Sequence, residues 1–232
     1  MKKKYIYSEQ NSLWGNPECV GFGSENFYIK EIDRKLANEI IVKNHYSKKY
    51  YNATYIHLGL FENKILKGIL QYGYAMNPAS CSSVVEGTKQ DEYLELNRMW
   101  LSDEIEIKYP ESQAISMSIS FIKKKYPKIK WIQSFADERC GGFGIVYQAC
   151  SFSYYGEHKS DFWELDGNVY HNIQMTVSKD SKRYVGEAKF LQENKDRATR
   201  MNLRQFRYIK FLDQREKKKC LLKEQPYPKH YK

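Results

Sequence analysis

The apolar and polar positions of this chain predict a helix, a hairpin, and then a second helix set between two strands. Asp33 precedes a run in which Leu36, Ile40 and Ile41 recur at helical spacing, which predicts a capped helix ending near Lys43, before Asn44-His45-Tyr46-Ser47. Residues 55–61 and 65–75 are strand-like and joined by Glu62-Asn63-Lys64, a hairpin signature. Residues 76–91, with Pro78, several serines and Gly87, read as a loop, 93–101 as an alternating strand and 102–110 as a connector. Residues 111–125 carry the best helical pattern: Ile115, Ile119 and Ile122 share a face, and Pro127 lies just beyond. Ser112, Ser116 and Ser120 line another face, which suits either close packing or a polar strip facing a ligand.

Beyond that helix, 130–136 predicts a buried strand ending at Asp137. Gly141, Gly142 and Gly144 lead into a short helix over 145–150. Residues 153–155, 162–165 and 169–177 read as strands, with Asp166-Gly167 as a hairpin turn. The segment 187–222 reads as mainly helical, ending at Pro226 and Pro228, whereas residues 1–27 read as an irregular lead-in. This order defines an α/β (α+β) fold: a mixed central sheet flanked by helices, with two parallel central strands joined by the best helix. The expected organisation is a body over 1–178 and a basic helical C-terminal segment over 179–232, packed on the same domain.

Composition changes this picture in one respect. Residues 179–232 hold 17 Lys/Arg against 7 Asp/Glu, while residues 1–178 hold 21 of each, so the segment carries the whole net charge of +10. Its cations are interleaved with aromatics in Arg204-Gln205-Phe206-Arg207-Tyr208-Ile209-Lys210-Phe211. That pattern suits a nucleic-acid backbone, with Arg197, Arg200, Arg204, Arg207 and Lys210 as candidate phosphate contacts; a solvated basic surface is the plainer alternative. No apolar stretch is long enough for a membrane helix, and Met1-Lys2-Lys3-Lys4-Tyr5 has no apolar run behind it, so neither membrane nor secretion is expected. The cysteines Cys19, Cys81, Cys140, Cys150 and Cys220 form no zinc or disulfide spacing, consistent with a cytoplasmic protein.

Ligands of open α/β sheets bind beyond the carboxyl ends of the strands. Asp137 at a strand end, Arg98 on the strand before the best helix, and Tyr147 in the first turns after the glycines fall at such places. Each has a structural alternative: Asp137 as a helix cap, Arg98 as an ion-pair partner of Glu95 or Asp91, Tyr147 as core, His45 as a helix-end residue. Nucleotide, zinc-protease and serine-hydrolase signatures are missing.

Gly144-Ile145-Val146-Tyr147-Gln148-Ala149-Cys150-Ser151-Phe152 resembles the fourth helix and following strand of GNAT acyltransferases, where a tyrosine at the position of Tyr147 acts as general acid. Between Leu101 and Glu111, however, the Gln/Arg-x-x-Gly-x-Gly/Ala pyrophosphate loop of those enzymes is missing, which argues against acetyl-CoA as donor. A wider set of motifs resembles the Mom family of phage DNA-modification proteins. It comprises Asn44-His45-Tyr46-Ser47, Glu95-Leu96-Asn97-Arg98-Met99-Trp100, Ser134-Phe135-Ala136-Asp137, Val146-Tyr147-Gln148-Ala149 with Tyr155-Gly156, Leu203-Arg204-Gln205-Phe206-Arg207-Tyr208 and Pro226-Tyr227-Pro228-Lys229.

This resemblance spans residues 36–228. It implies a GNAT-like fold and conversion of adenine in double-stranded DNA to its N6-carbamoylmethyl form, which protects phage DNA from restriction in the host cytoplasm. It further implies His45, Tyr46, Arg98, Asp137 and Tyr147 as functional positions, with Ser134, Gly142 and Gly144 beside a small-molecule donor of unknown identity. Family members are linked to iron, for which His45, Tyr46 and Asp137 are ligand-capable types, with His45 and Asp137 the assigned pair. Two alternatives stay open, a GNAT acyltransferase acting on a protein or small amine and a non-catalytic DNA-binding protein, as does assembly as a monomer or dimer.

Overall fold

The computed structural model describes residues 4–7 and 19–229. Its ten strands form one mixed sheet in the order β1-β2-β3-β4-β5-β6-β7-β10-β8-β9. They are β1 Lys4–Tyr7, β2 Cys19–Gly23, β3 Phe27–Glu31, β4 Thr54–Glu62, β5 Ile65–Gly73, β6 Tyr93–Leu101, β7 Trp131–Asp137, β8 Ser153–Leu165, β9 Asn168–His171 and β10 Thr199–Phe211. The helices are α1 Arg34–Asn44, α2 Pro110–Lys125, α3 Ile145–Ala149, α4 Asn172–Met175, α5 Glu187–Glu193 and α6 Gln214–Lys217. The expected lead-in thus contains two strands among its described residues, and the two short strands expected over 153–165 are one.

Local chemistry sets several boundaries. The Asp33 carboxylate accepts from the backbone N–H of Lys35 (2.7 Å) and Leu36 (3.2 Å), starting α1 as expected. Asn63 (φ 50°) and Lys64 (φ 68°) both take left-handed conformations, the geometry of a tight hairpin turn between β4 and β5. Asp166 (φ 53°) and Gly167 (φ 75°) do the same between β8 and β9. β9 is shorter than expected: it ends at His171, which caps α4 by accepting from Ile173 N–H at 3.1 Å.

α2 is the crossover between parallel neighbours β6 and β7. It buries Ala114, Ile115, Met117, Ser118, Ile119, Phe121 and Ile122 against Leu58, Leu70, Tyr72, Leu94 and Ile132 on one face of the sheet. Each large apolar side chain so buried contributes roughly 1.5–3 kcal/mol. Two serines of the α2 stripe face the end of α3, Cys150 Sγ lying 3.7 Å from Ser116 Oγ and 3.3 Å from Ser112 O, whereas Ser120 Oγ donates within α2 to Ser116 O at 2.9 Å. α1 covers part of the opposite face through Ala37 and Ile41 on Ile69. The rest of that face, between α1 and the β8–β9 hairpin, is an open cleft.

The largest correction concerns the basic segment. Residues 187–222 are not one helix: α5 and α6 are short, and β10 between them is a thirteen-residue strand lying between β7 and β8. Phe206 and Tyr208 enter the α2 side of the sheet, while Ile209 and Phe211 pack with Trp131 and Tyr155 on the other. Only the second half of β10 is buried on both faces, and Arg207 and Lys210 there fall on opposite sides, which blurs the alternation, while Leu203, Phe206 and Ile209 mimic a helical spacing.

Candidate functional site: a cleft at the divergence of β6 and β7

Parallel β6 and β7 pair only from Tyr93↔Trp131 to Glu95↔Gln133, and beyond that point β7 keeps only its antiparallel partner, β10. The cleft of about 790 Å³ lies over this divergence, lined by Tyr46, Tyr51, Glu95, Asn97, Arg98, Gln133, Phe135, Asp137, Arg139, His158, Phe162 and Arg207, among others. Its volume falls in the range of small-molecule sites.

A bulge makes this wall. Gln71 of β5 pairs with Arg98, but the next residue, Tyr72, pairs with Leu96, leaving Asn97 as an extra residue. The shift brings Glu95 and Arg98, three positions apart, to the same face. Arg98 donates to Lys49 O (3.1 Å) and Asn97 O (2.7 Å), and its guanidinium lies over Tyr51. Asp91 is paired with Lys128 instead, and among the described residues Arg98 has no carboxylate partner within ion-pair distance. Burial holds its pKa below the usual arginine value.

Asp137 ends β7 with its side chain 7% exposed, and it accepts from Arg139 N–H and, through both oxygens, from the Arg139 guanidinium. It is a cap and a site residue at once. Tyr46 lies under Arg139, with its hydroxyl pKa pushed up by burial, then by Cys140 and Asp137, so it stays protonated at neutral pH. His45 stands behind Tyr46, ring centroids 4.2 Å apart. Its Nδ1 accepts from Ser47 N–H at 3.1 Å, which places the proton of the neutral ring on Nε2. Burial first, then Arg98, Arg139 and Lys48, push its pKa down to about 4.

Tyr147 lies on the other side of the sheet, packed against Phe152 and Tyr208. Its hydroxyl oxygen is 2.8 Å from Ser134 Oγ, which donates to Leu96 O (3.3 Å) across the seam where β6 and β7 part. Burial pushes the Tyr147 hydroxyl up to about 12. Gly144 (φ 82°) starts α3 beneath the Tyr208 ring, while Gly142 stands in open space. Ahead of α2 the connector holds no glycine; Tyr109 is left-handed (φ 55°) and Pro110 removes one N–H from the first turn.

The candidate phosphate contacts do not share a surface. Arg197 pairs with Asp166, Arg200 with Asp161, and Arg204 with Glu138 (2.8 Å) and Glu157 (3.6 Å). Lys210 caps the end of α3, donating to Cys150 O and Ser151 O, both at 3.0 Å. Arg207 faces the cleft over Phe135, with its pKa lowered by burial. The picture of a single helical basic face is corrected: strand alternation puts Arg204 and Lys210 on one side of the sheet and Arg207 on the other.

Of the iron-capable types, His45 packs on Tyr46 and Asp137 pairs with Arg139. Among the described residues no three His, Cys, Asp or Glu side chains gather as a ligand set, and the Asp137 carboxylate is engaged by Arg139. Sequence reasoning missed Glu95, Gln133 and Arg139. The shared alternation of Gln133, Phe135 and Asp137 along β7 was the signal for Gln133, and the i, i+2 spacing to Asp137 the signal for Arg139.

The sequence profile of the Mom protein family matches residues 26–229. The chain is 44% identical over 231 residues to the methylcarbamoylase Mom of Escherichia phage Mu, covering 98% of this chain and 94% of that protein. The chain therefore belongs to the Mom protein family. Solved acetyltransferases are also similar: NAA60 of Arabidopsis thaliana at 7% identity and TM-score 0.49, covering 79% of this chain and 98% of that one. A GNAT-family acetyltransferase of Streptococcus pneumoniae aligns at 10% identity and TM-score 0.45, covering 80% and 98%. Among the described residues no helix is long and apolar enough to cross a membrane.

Proposed function

We propose that this protein transfers a carbamoylmethyl group from a small-molecule donor to the N6 amine of adenine in double-stranded DNA, in the host cytoplasm. The observation that carries this reading is the near full-length 44% identity to a methylcarbamoylase. The gathering of Tyr46, Arg98 and Asp137 in one cleft, with His45 behind them, supports it.

The adenine amine is paired inside the duplex and its lone pair is delocalised into the ring. The base must leave the stack to reach a cleft of this depth. Forming the N6–carbon bond replaces one N–H and breaks the donor's bond to its leaving group, so the amine proton passes to Asp137 while the leaving group departs with the bonding pair. Asp137, paired with Arg139, accepts a hydrogen bond from the amine. Arg98 holds an anionic group of the donor or a phosphate. Protonated Tyr46 and the Nε2–H tautomer of His45 supply donors behind it. Tyr147 and Ser134 stand at the seam behind the cleft, where the Tyr147 hydroxyl can pass a proton toward the donor through Ser134.

The test is expression in a bacterium, followed by digestion of a resident plasmid to nucleosides and mass spectrometry of deoxyadenosine. A deoxyadenosine heavier by the carbamoylmethyl group is expected, falling roughly 10²–10⁴-fold in amount per unit time for Asp137→Asn or Tyr147→Phe. Unmodified deoxyadenosine in cells that contain the folded protein would overturn the reading; full activity of Tyr147→Phe would remove that residue's role.

A further inference from the structure

We propose that Glu95, Asn97 and Gln133 form a recognition site for a planar primary amino group. That chemistry is shared by the N6 amine of adenine and the terminal amide of a carbamoylmethyl donor, and the naming of these two sources rests on the function proposed above.

The geometry leaves acceptors in excess. Gln133 Nε2 donates to one Glu95 oxygen at 2.8 Å, and Asn97 Nδ2 donates to the other at 3.0 Å and to Tyr74 O at 3.1 Å. Above about pH 7, where Glu95 is ionised, its carboxylate only accepts, so both amides must turn their nitrogens toward it and their oxygens away. Those oxygens, Gln133 Oε1 and Asn97 Oδ1, are buried and have no hydrogen-bond partner, although Gln133 is only 4% exposed. Buried polar atoms in folded proteins are normally satisfied, and an unmet pair beside a carboxylate calls for donors. All three residues line the cleft. Glu95 and Gln133 are the last paired residues of β6 and β7, and Asn97 is the bulged residue beyond them. The terminal torsion of an amide side chain is soft, so a small turn brings either oxygen to the cleft wall.

The surroundings narrow the ligand. A hydroxyl offers one hydrogen, too few for two vacant oxygens and a carboxylate. An ammonium offers three, but the guanidinium groups of Arg98 and Arg207 both act on Glu95 and disfavour a third cation. A neutral –NH2 conjugated with a π-system offers two coplanar donors without charge. The aromatic walls Tyr51, Phe135 and Phe162 suit its flat skeleton. Burial raises the Glu95 carboxyl to about 7, which keeps it a strong acceptor once ionised.

The test uses the full ¹⁵N-labelled chain and the side-chain amide resonances of Asn97 and Gln133, assigned with Asn97→Leu and Gln133→Met. It compares 2′-deoxyadenosine with purine 2′-deoxyriboside, which lacks the amine, and acetamide with N,N-dimethylacetamide, which lacks N–H. If adenine is the source, deoxyadenosine moves both resonances and its analogue binds roughly 10–100-fold more weakly. If the donor amide is the source, the acetamide pair shows that discrimination instead. Gln133→Met should erase the discrimination while thermal unfolding stays cooperative, and Glu95→Gln provides a second variant should Gln133→Met fail to fold. Equal binding within both pairs, or resonances that do not move, would overturn the proposal. Amine selectivity with no modified deoxyadenosine in cells would strike the function and leave the site; modified deoxyadenosine without selectivity would strike the site alone.

Discussion

His45 and Glu95 respond to pH in opposite senses, and each is visible only because the fold buries it. The folded His45 releases its proton down to about pH 4, whereas the unfolded side chain holds one below its ordinary value of 6.5. Stability is therefore lost as pH falls through that window, by up to roughly 3 kcal/mol. Glu95 does the reverse: buried among Asn97, Gln133, Arg98 and Arg207, it keeps its proton up to about 7, whereas the unfolded chain releases it near 4.5. Stability falls as pH rises through this second window, by a similar amount. Tyr51, Tyr93 and Tyr147 also feel its charge, but their hydroxyls remain protonated across the range. Denaturant unfolding between pH 4.5 and 8 should show His45→Gln flattening the acid side and Glu95→Gln flattening the neutral side. Parallel curves for wild type and both variants would refute the burial argument. The sequence made His45, Arg98 and Asp137 legible as chemistry-bearing types. It did not reveal that Arg98 turns into the cleft, because that depends on one extra residue at Asn97 and not on any side-chain pattern.

At the scale of elements, the α2 crossover and both tight hairpins were legible because their signals are local: helical spacing on one face, or two residues able to take positive φ. β10 was not, because its place between β7 and β8 depends on distant neighbours and its cations fall on both faces of the sheet. The glycines before α3 were legible as a turn but not in their separate duties. A Cβ on Gly144 would sit 2.4 Å from Tyr208 Cε2, at φ 82°, and Gln148 Nε2 donates to the Tyr208 hydroxyl at 3.0 Å. Gly142 has nothing within 4 Å of an added Cβ. Gly144→Ala should accordingly cost about 1–3 kcal/mol by combining backbone strain with displacement of Tyr208. Gly142→Ala should stay within about 0.5 kcal/mol. Thermal unfolding of the two variants checks this, and equal losses would show that the Tyr208 contact is not what fixes the start of α3.

At the scale of the whole molecule, the cations of the basic C-terminal quarter divide into four kinds. Arg197, Arg200 and Arg204 are neutralised by Asp166, Asp161 and Glu138, Arg207 belongs to the cleft, and Lys210 holds α3. The exposed cations between α4 and α5 are different. Among the described residues Lys179, Lys182 and Arg183 have no carboxylate within ion-pair distance, and their loop joins Gln174 to Glu187, both at the cleft wall. A cation already paired with a carboxylate must give up that partner before it gains a phosphate, whereas these three need give up only water. They also stand where a strand would pass if one of its bases entered the cleft. Each phosphate neutralised on a duplex lowers the slope of log K against log salt by about 0.9, so neutralising all three should flatten it by roughly 2–3 on any sequence. Replacing Arg197 and Arg200 should change it far less, since freeing their acids offsets the lost cations. Binding to an arbitrary duplex over a salt series measures both. If the Arg197 and Arg200 variant instead flattened the slope and the loop variant did not, the DNA would run along β8 and β10, away from the loop.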